Sequence, residues 1–253
     1  MSEVRLSRGT IYYEIYGEGE LLIGLHHGMG SCGTWAEQTP VFAKHFAFLV
    51  YDRLGHGRSE RHLPYEKGYF ENRASELGEL ITELGFDAVH LCGMCEGGAV
   101  ALVFASSWPE RVKTLILQGV GYYGNDQTIA KCEEYFQPWT KLNESLRHRL
   151  MRDHGEDYAM LKWEALREAK PYVWSPSYDL RPTFSSIEAP TLIIGGDRDP
   201  FFGLEHPIAA YRGIKNSELC VLPRAGHFLN EETPAVFNKI ALDFLGRHVA
   251  RNG

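Results

Sequence analysis

The 253-residue sequence predicts an α/β protein built on a mostly parallel, doubly wound sheet. Three observations carry that expectation. Strand-like apolar runs recur along the chain, and helical patterns alternate with them from the third run onward. Several runs are apolar without alternation, for instance Leu21-Leu22-Ile23-Gly24-Leu25 and Thr114-Leu115-Ile116-Leu117. That is how strands buried on both faces read.

The strand-like runs fall at 10–16, 20–26, 46–51, 88–92, 112–117, 191–194 and 218–222, and the clearest helical patterns at 72–84 and 233–249. One region breaks the rhythm. Between 121 and 181 there is no strand signal, only helical charge patterning at 131–135, 142–151 and 158–170, together with Trp139, Trp163 and Trp174, three of the five tryptophans. We read this as a helical cap insertion, 121–181, over a core made of 1–120 and 182–253. Chemistry in such sheets sits at the carboxyl ends of the strands, where a cap would close over it. The three cap tryptophans and Phe228 are therefore candidate substrate-binding residues, with plain packing as the alternative use of the aromatics.

Composition narrows the partners. A formal net charge of −7 with no lysine or arginine run argues against a nucleic-acid or anionic-membrane surface and for a small-molecule partner. Residues 1–10 are polar and lack the apolar centre of a signal peptide, and no apolar run is long enough to cross a bilayer, so a cytoplasmic location is expected. The five cysteines, Cys32, Cys92, Cys95, Cys132 and Cys220, are scattered and odd in number, which reads as reduced thiols rather than a disulfide framework.

The most informative stretch is Gly93-Met94-Cys95-Glu96-Gly97, following the run at 88–92. It fits the GxSxG nucleophile elbow with cysteine at the central position. The turn from strand to helix is sharp, so its flanks need glycine, and the central residue is thrust out at a helix N-terminus. Cys92 and Cys95 also form a CxxC, but Cys92 falls inside the strand rather than beside Cys95 at the helix start, which argues against a redox pair.

With four further stretches in order, the chain resembles the α/β-hydrolase superfamily over nearly its whole length. These are His26-His27-Gly28-Met29-Gly30, the segment Tyr51-Asp52-Arg53-Leu54-Gly55-His56-Gly57-Arg58-Ser59, Gly195-Gly196-Asp197-Arg198-Asp199-Pro200 and Ala225-Gly226-His227-Phe228. The resemblance implies an eight-stranded sheet with a cap and a triad of Cys95, His227 and an acid. Asp197 and Asp199 are both available as the acid; the family's spacing selects Asp199, and the alternative position after the sixth strand holds Gln118 or Gly119, which cannot serve. An unperturbed thiol is only a few per cent thiolate at neutral pH, so His227 would take or share its proton and later activate water. The oxyanion site would be the backbone N–H groups of Met29 and Glu96. No cofactor and no metal is expected; one of His26 and His27 is read as ordering its loop. The 52–59 segment is read as a turn whose Asp and Arg tie loops together, with no chemistry assigned to His56.

A cysteine elbow is similar to that of the dienelactone-hydrolase branch, whereas the cap layout is similar to capped lactonases and C–C bond hydrolases. The expected activity is cofactor-free hydrolysis of small esters or lactones through an acyl-cysteine. Sulfur attacks activated acyl groups readily and amides poorly, and the epoxide-hydrolase and dehalogenase chemistries of this fold need a carboxylate at position 95. Two alternatives stand beside it: a thioesterase-like cyclase or acyltransferase, and a ligand-binding or inactive protein that keeps the fold.

Overall fold

The computed structural model describes residues 2–62, 65, 67–169 and 175–249. Its centre is an eight-stranded sheet in the order β1-β2-β4-β3-β5-β6-β7-β8. β1 (Ser2–Leu6), β2 (Gly9–Tyr16) and β4 (Ala47–Asp52) pair antiparallel, while β3 (Leu21–Leu25), β4, β5 (Val89–Met94), β6 (Val112–Gln118), β7 (Thr191–Gly196) and β8 (Ser217–Leu222) run parallel. Every residue of β3, β4, β5 and β7 is buried, which is the physical reason those runs carry no alternation.

The first strand escapes a reading for apolar runs. β1 is an edge strand whose first four residues are exposed or half-buried, so it meets the core through Leu6 with Val4 packed beside it. Charged, short edges of this kind resist pairing with other chains.

Helices cover both faces. On one lie α2 (Tyr69–Glu83) and α3 (Glu96–Ser107), which pack on each other. On the other lie α1 (Thr39–Phe42), the short α8 (Leu229–Glu232) and α9 (Pro234–Val249). The α3 helix buries ten consecutive residues, Glu96 to Ala105, so it has no polar stripe to betray it.

Between β6 and β7 the chain builds α4 (Asp126–Tyr135), α5 (Glu144–His154) and α6 (Glu156–Glu168). Asn125 and Asn143 cap the first two, each Oδ1 accepting a backbone N–H at 2.8 Å. Gly155, at φ +87, separates α5 from α6. The two ends of this insertion meet: Tyr123 bridges Asp179, the Leu180 amide donates to Tyr122 O at 2.7 Å, and the Gly124 amide to Tyr178 O at 2.8 Å. His206, on α7 (Glu205–Gly213), locks the junction, accepting the Tyr122 amide at 3.0 Å and stacking on Tyr123 at 4.2 Å. Among the described residues no helix is long and apolar enough to cross a membrane.

Candidate active site

The site begins where β5 becomes α3. Cys95 sits between them at φ 52, ψ −117, a conformation that costs a non-glycine residue strain and is kept where the surroundings impose it. Two close approaches do so. A Cβ at Gly97 would lie 2.4 Å from the carbonyl oxygens of both Leu25 and His26, and one at Gly93 would lie 2.5 Å from Gly98 Cα. Glycine at 97 lets the start of α3 press against the end of β3, and glycine at 93 lets α3 fold back on the end of β5. Cys95 caps α3, where the unsatisfied amides of the first turn favour negative charge on the sulfur.

Two loops from the far end of the chain complete the arrangement. Asp199 follows β7 and His227 follows β8, and His227 Nδ1 lies 2.9 Å from Asp199 Oδ2. The other carboxylate oxygen accepts the amides of Phe201 at 2.8 Å and Phe202 at 3.2 Å. With Nδ1 taken by Asp199, the other ring nitrogen of His227 is left for Cys95, which lines the same cavity and is close enough to help raise the imidazole. Asp197 takes no part: its Oδ1 accepts the Ala225 amide at 3.3 Å.

Electrostatics follow from these contacts. Burial alone would push His227 down, but the Cys95 sulfur and the Asp199 carboxylate outweigh it and raise the imidazole to about 10. Burial alone would push Asp199 up, and the His227 contact with the two amides outweighs that and holds the carboxyl below its usual range. A histidine that keeps its proton through neutral pH places a cation at the Cys95 side of the cavity.

The loop after β3 faces Cys95 across the site. Its carbonyls are tied backwards in succession: His26 O accepts from Arg53, His27 O from His26 Nδ1 at 2.7 Å, Gly28 O lies 3.1 Å from His56 Nε2, and Met29 O lies 3.1 Å from His154 Nε2. His26 thus orders the loop. The Met29 amide donates to His27 Nδ1 over 3.3 Å, a long contact to a neutral acceptor. Glu96, whose amide opens α3, has its carboxylate bound by Arg53 at 2.8 Å and Tyr69 at 2.7 Å.

Above Cys95 lies a cavity lined mainly by apolar and aromatic side chains. Met29, Glu96, His227 and Phe228 line it, so these sequence-derived candidates gather round one space with Cys95. The tryptophans do not join them. Trp163 is fully buried and donates Nε1–H to Gln137 O at 2.8 Å, and Trp139 packs half-buried on the core with its amide on Glu164 Oε1 at 2.8 Å. They hold the insertion's helices together, the packing use of such residues; Trp174 lies outside the described residues. The aromatic lining is instead Phe70, Tyr123, Tyr135, Phe136, Tyr178 and the Phe201-Phe202 pair. Of these, Phe201 and Phe202 carried a sequence signal, since they directly follow the acid. The others depend on which way a helix turns its side chains.

The insertion's buried histidine yields a pH prediction. Burial first, then Lys162, depresses His154 to about 4, against the opposing contact with Met29 O. Its folded value lies below its unfolded one, so the unfolded chain binds more protons between pH 6.5 and 4. The stability it contributes is complete above pH 6.5 and lost as pH falls toward 4, about 3 kcal/mol in all. Urea unfolding at pH 7 and pH 4.5 is expected to show a smaller acid loss in His154→Gln than in the unsubstituted chain. Equal losses would mean that His154 titrates normally in the fold.

Residues 25–240 match the model of the alpha/beta hydrolase family, and the chain belongs to that family. It is 29% identical to the 2-hydroxy-6-oxo-6-phenylhexa-2,4-dienoate hydrolase of Comamonas testosteroni, over 97% of this chain and 94% of that one. It is 27% identical to the human serine hydrolase BPHL, over 96% and 86%. Among solved structures, the enol-lactonase of Burkholderia xenovorans LB400 shares the fold with a TM-score of 0.78 at 20% identity, covering 97% of this chain and all of that one.

Proposed function

We propose that the protein is a cofactor-free hydrolase of small neutral esters or lactones that works through an acyl-Cys95 intermediate. One observation carries the reading: Cys95 at the elbow and His227, oriented by its hydrogen bond to Asp199, line the same aromatic cavity. The sulfur attacks the substrate carbonyl carbon, and the carbonyl π electrons move to oxygen, where the Met29 and Glu96 amides receive the charge. An anion outcompetes His27 Nδ1 for the Met29 N–H, because charged acceptors bind more strongly. Collapse expels the alkoxide, which takes the His227 proton. Neutral His227 then deprotonates water, hydroxide adds to the thioester, and the acid departs as sulfur regains its electron pair.

Neutrality of the substrate is argued from the lining. Among the described cavity residues there is no lysine or arginine, and the one carboxylate, Glu96, is already paired with Arg53. A substrate carboxylate would meet only one cation, His227, already engaged with Asp199 and Cys95, so a neutral acyl portion suits the lining better. The Comamonas relative is named for a dienoate, so this chain is expected to differ from it in what it accepts.

The test is rapid quenching with p-nitrophenyl butyrate, followed by peptide mapping, in the unsubstituted chain and in His227→Ala. A butyryl adduct on the Cys95 peptide that forms before steady state supports the mechanism. Hydrolysis with no adduct there, or equal turnover in His227→Ala, would remove it. Transfer to methanol or a thiol in preference to hydrolysis, at acceptor concentrations far below that of water, would mark an acyltransferase instead.

A further inference from the structure

We propose that His56 is a positioning residue for the oxyanion site: its Nε2–H fixes the Gly28–Met29 peptide plane, and Lys162, reaching over from the insertion, fixes the tautomer that allows it. The proposal rests on the acyl-cysteine reading above and adds to it a connection between the helical insertion and the reacting oxygen.

A peptide unit is planar and trans, so the Gly28 carbonyl and the Met29 N–H point in opposite directions from one rigid plate. Whatever holds the carbonyl aims the N–H. The carbonyl oxygen lies 3.1 Å from His56 Nε2, which is a hydrogen bond only if that nitrogen bears a proton. His56 is buried beside Lys162 and Arg53, and burial first, then those charges, hold it neutral, so the ring carries one proton. Nδ1 lies 3.3 Å from Lys162 Nζ and 3.3 Å from Leu54 O. We assign Lys162 Nζ as the donor to Nδ1, which puts the single proton on Nε2, where it serves the shorter carbonyl contact.

Lys162 is held at the base of the insertion by polar contacts rather than by an ion pair. It is 3% exposed, its Nζ spans His56 Nδ1 and the Tyr65 hydroxyl at 2.9 Å, and among the described residues no carboxylate pairs with it. A buried lysine without a carboxylate destabilises a fold, and an apolar side chain of that length would serve packing better.

A second clamp acts on the other side of Met29. The Gly57 amide donates to His154 Nδ1 at 3.0 Å, so His154 carries its proton on Nε2, 3.1 Å from Met29 O. The carbonyls before and after the Met29 N–H are thus each held by an imidazole N–H. His154 and Lys162 both belong to the insertion, so the N–H that receives the oxyanion keeps its aim only while the insertion is seated.

The experiment compares two reactions of Cys95 that differ in one respect. Acylation by p-nitrophenyl butyrate passes through an oxyanion, whereas alkylation by iodoacetamide displaces iodide and forms none. In His56→Met, which keeps length and removes the donor, acylation is expected to slow by about 10-fold to 100-fold at nearly unchanged KM, while alkylation keeps its rate. His56→Gln retains an N–H for Gly28 O and should recover most of the loss. Lys162→Met frees the tautomer and should fall between, and this pair carries the test if His56→Met does not fold. Acylation at the unsubstituted rate in His56→Met, or parallel loss of acylation and alkylation, overturns the positioning role. Absence of any butyryl-Cys95 in the unsubstituted chain overturns the acyl-cysteine reading itself, an outcome visible before any variant is made.

Discussion

Cys95→Ala is expected to lower kcat/KM for a neutral aryl ester by about 10⁵-fold, as removal of a nucleophile does when the rest of the machinery depends on it. The basis is positional. The elbow holds the sulfur at φ 52 above the β5 end, against the first turn of α3 and within hydrogen-bonding reach of His227. Nothing else nucleophilic is so placed among the described residues: Cys92, three positions earlier, is fully buried inside β5, where burial pushes its thiol up. The measurement is steady-state hydrolysis with protein purified to exclude host esterases, alongside thermal unfolding to show that the alanine variant folds. Substantial turnover by a folded Cys95→Ala would assign the nucleophile elsewhere and end the mechanism argued above.

The second large effect is expected at the acid. Asp199→Asn should reduce kcat by about 10³-fold to 10⁴-fold, because an amide in that place presents N–H to a ring nitrogen that now carries a proton and turns the imidazole to the wrong tautomer. The same substitution removes the charge that helps lift His227 to about 10, so its value falls and the positive partner of the sulfur disappears at lower pH. Iodoacetamide alkylation of Cys95 at pH 7 should slow accordingly, and the pH–rate profile should narrow on its alkaline side. Asp197→Asn is the control, since Asp197 contacts the Ala225 amide rather than His227. If Asp197→Asn were the damaging change and Asp199→Asn mild, the two carboxylates would exchange roles.

What the sequence made legible was whatever the backbone constrains locally. Gly93 and Gly97 are required by contacts of 2.5 Å and 2.4 Å to a hypothetical Cβ, so the elbow shows through as a pattern, and Asp199 and His227 show through by their place after apolar runs. The parallel strands were visible because burial on both faces removes polar residues from them. β1 was hidden, because an edge strand lying mostly in solvent has no such pressure. The cavity wall was hidden for another reason: Trp163 and Tyr135 lie on neighbouring helices of one insertion, and only packing directs the first into the core and the second toward Cys95. His56 reads as one polar residue in a turn, and its bond to Gly28 spans 28 positions that no local pattern encodes.

The paired ends of the insertion bear on ancestry as well as on architecture. Residues 122–124 and 178–180 run side by side, held to each other and to His206 before any helix begins. A segment whose ends already touch leaves the sheet indifferent to what lies between them, since the cost of closing a loop grows only slowly with its length. Descendants of one hydrolytic floor are thus free to exchange this wall wholesale, subject to one inherited constraint. On the positioning role proposed above, a replacement that brings no donor to the Met29 carbonyl and no amine to His56 would loosen the N–H held between them.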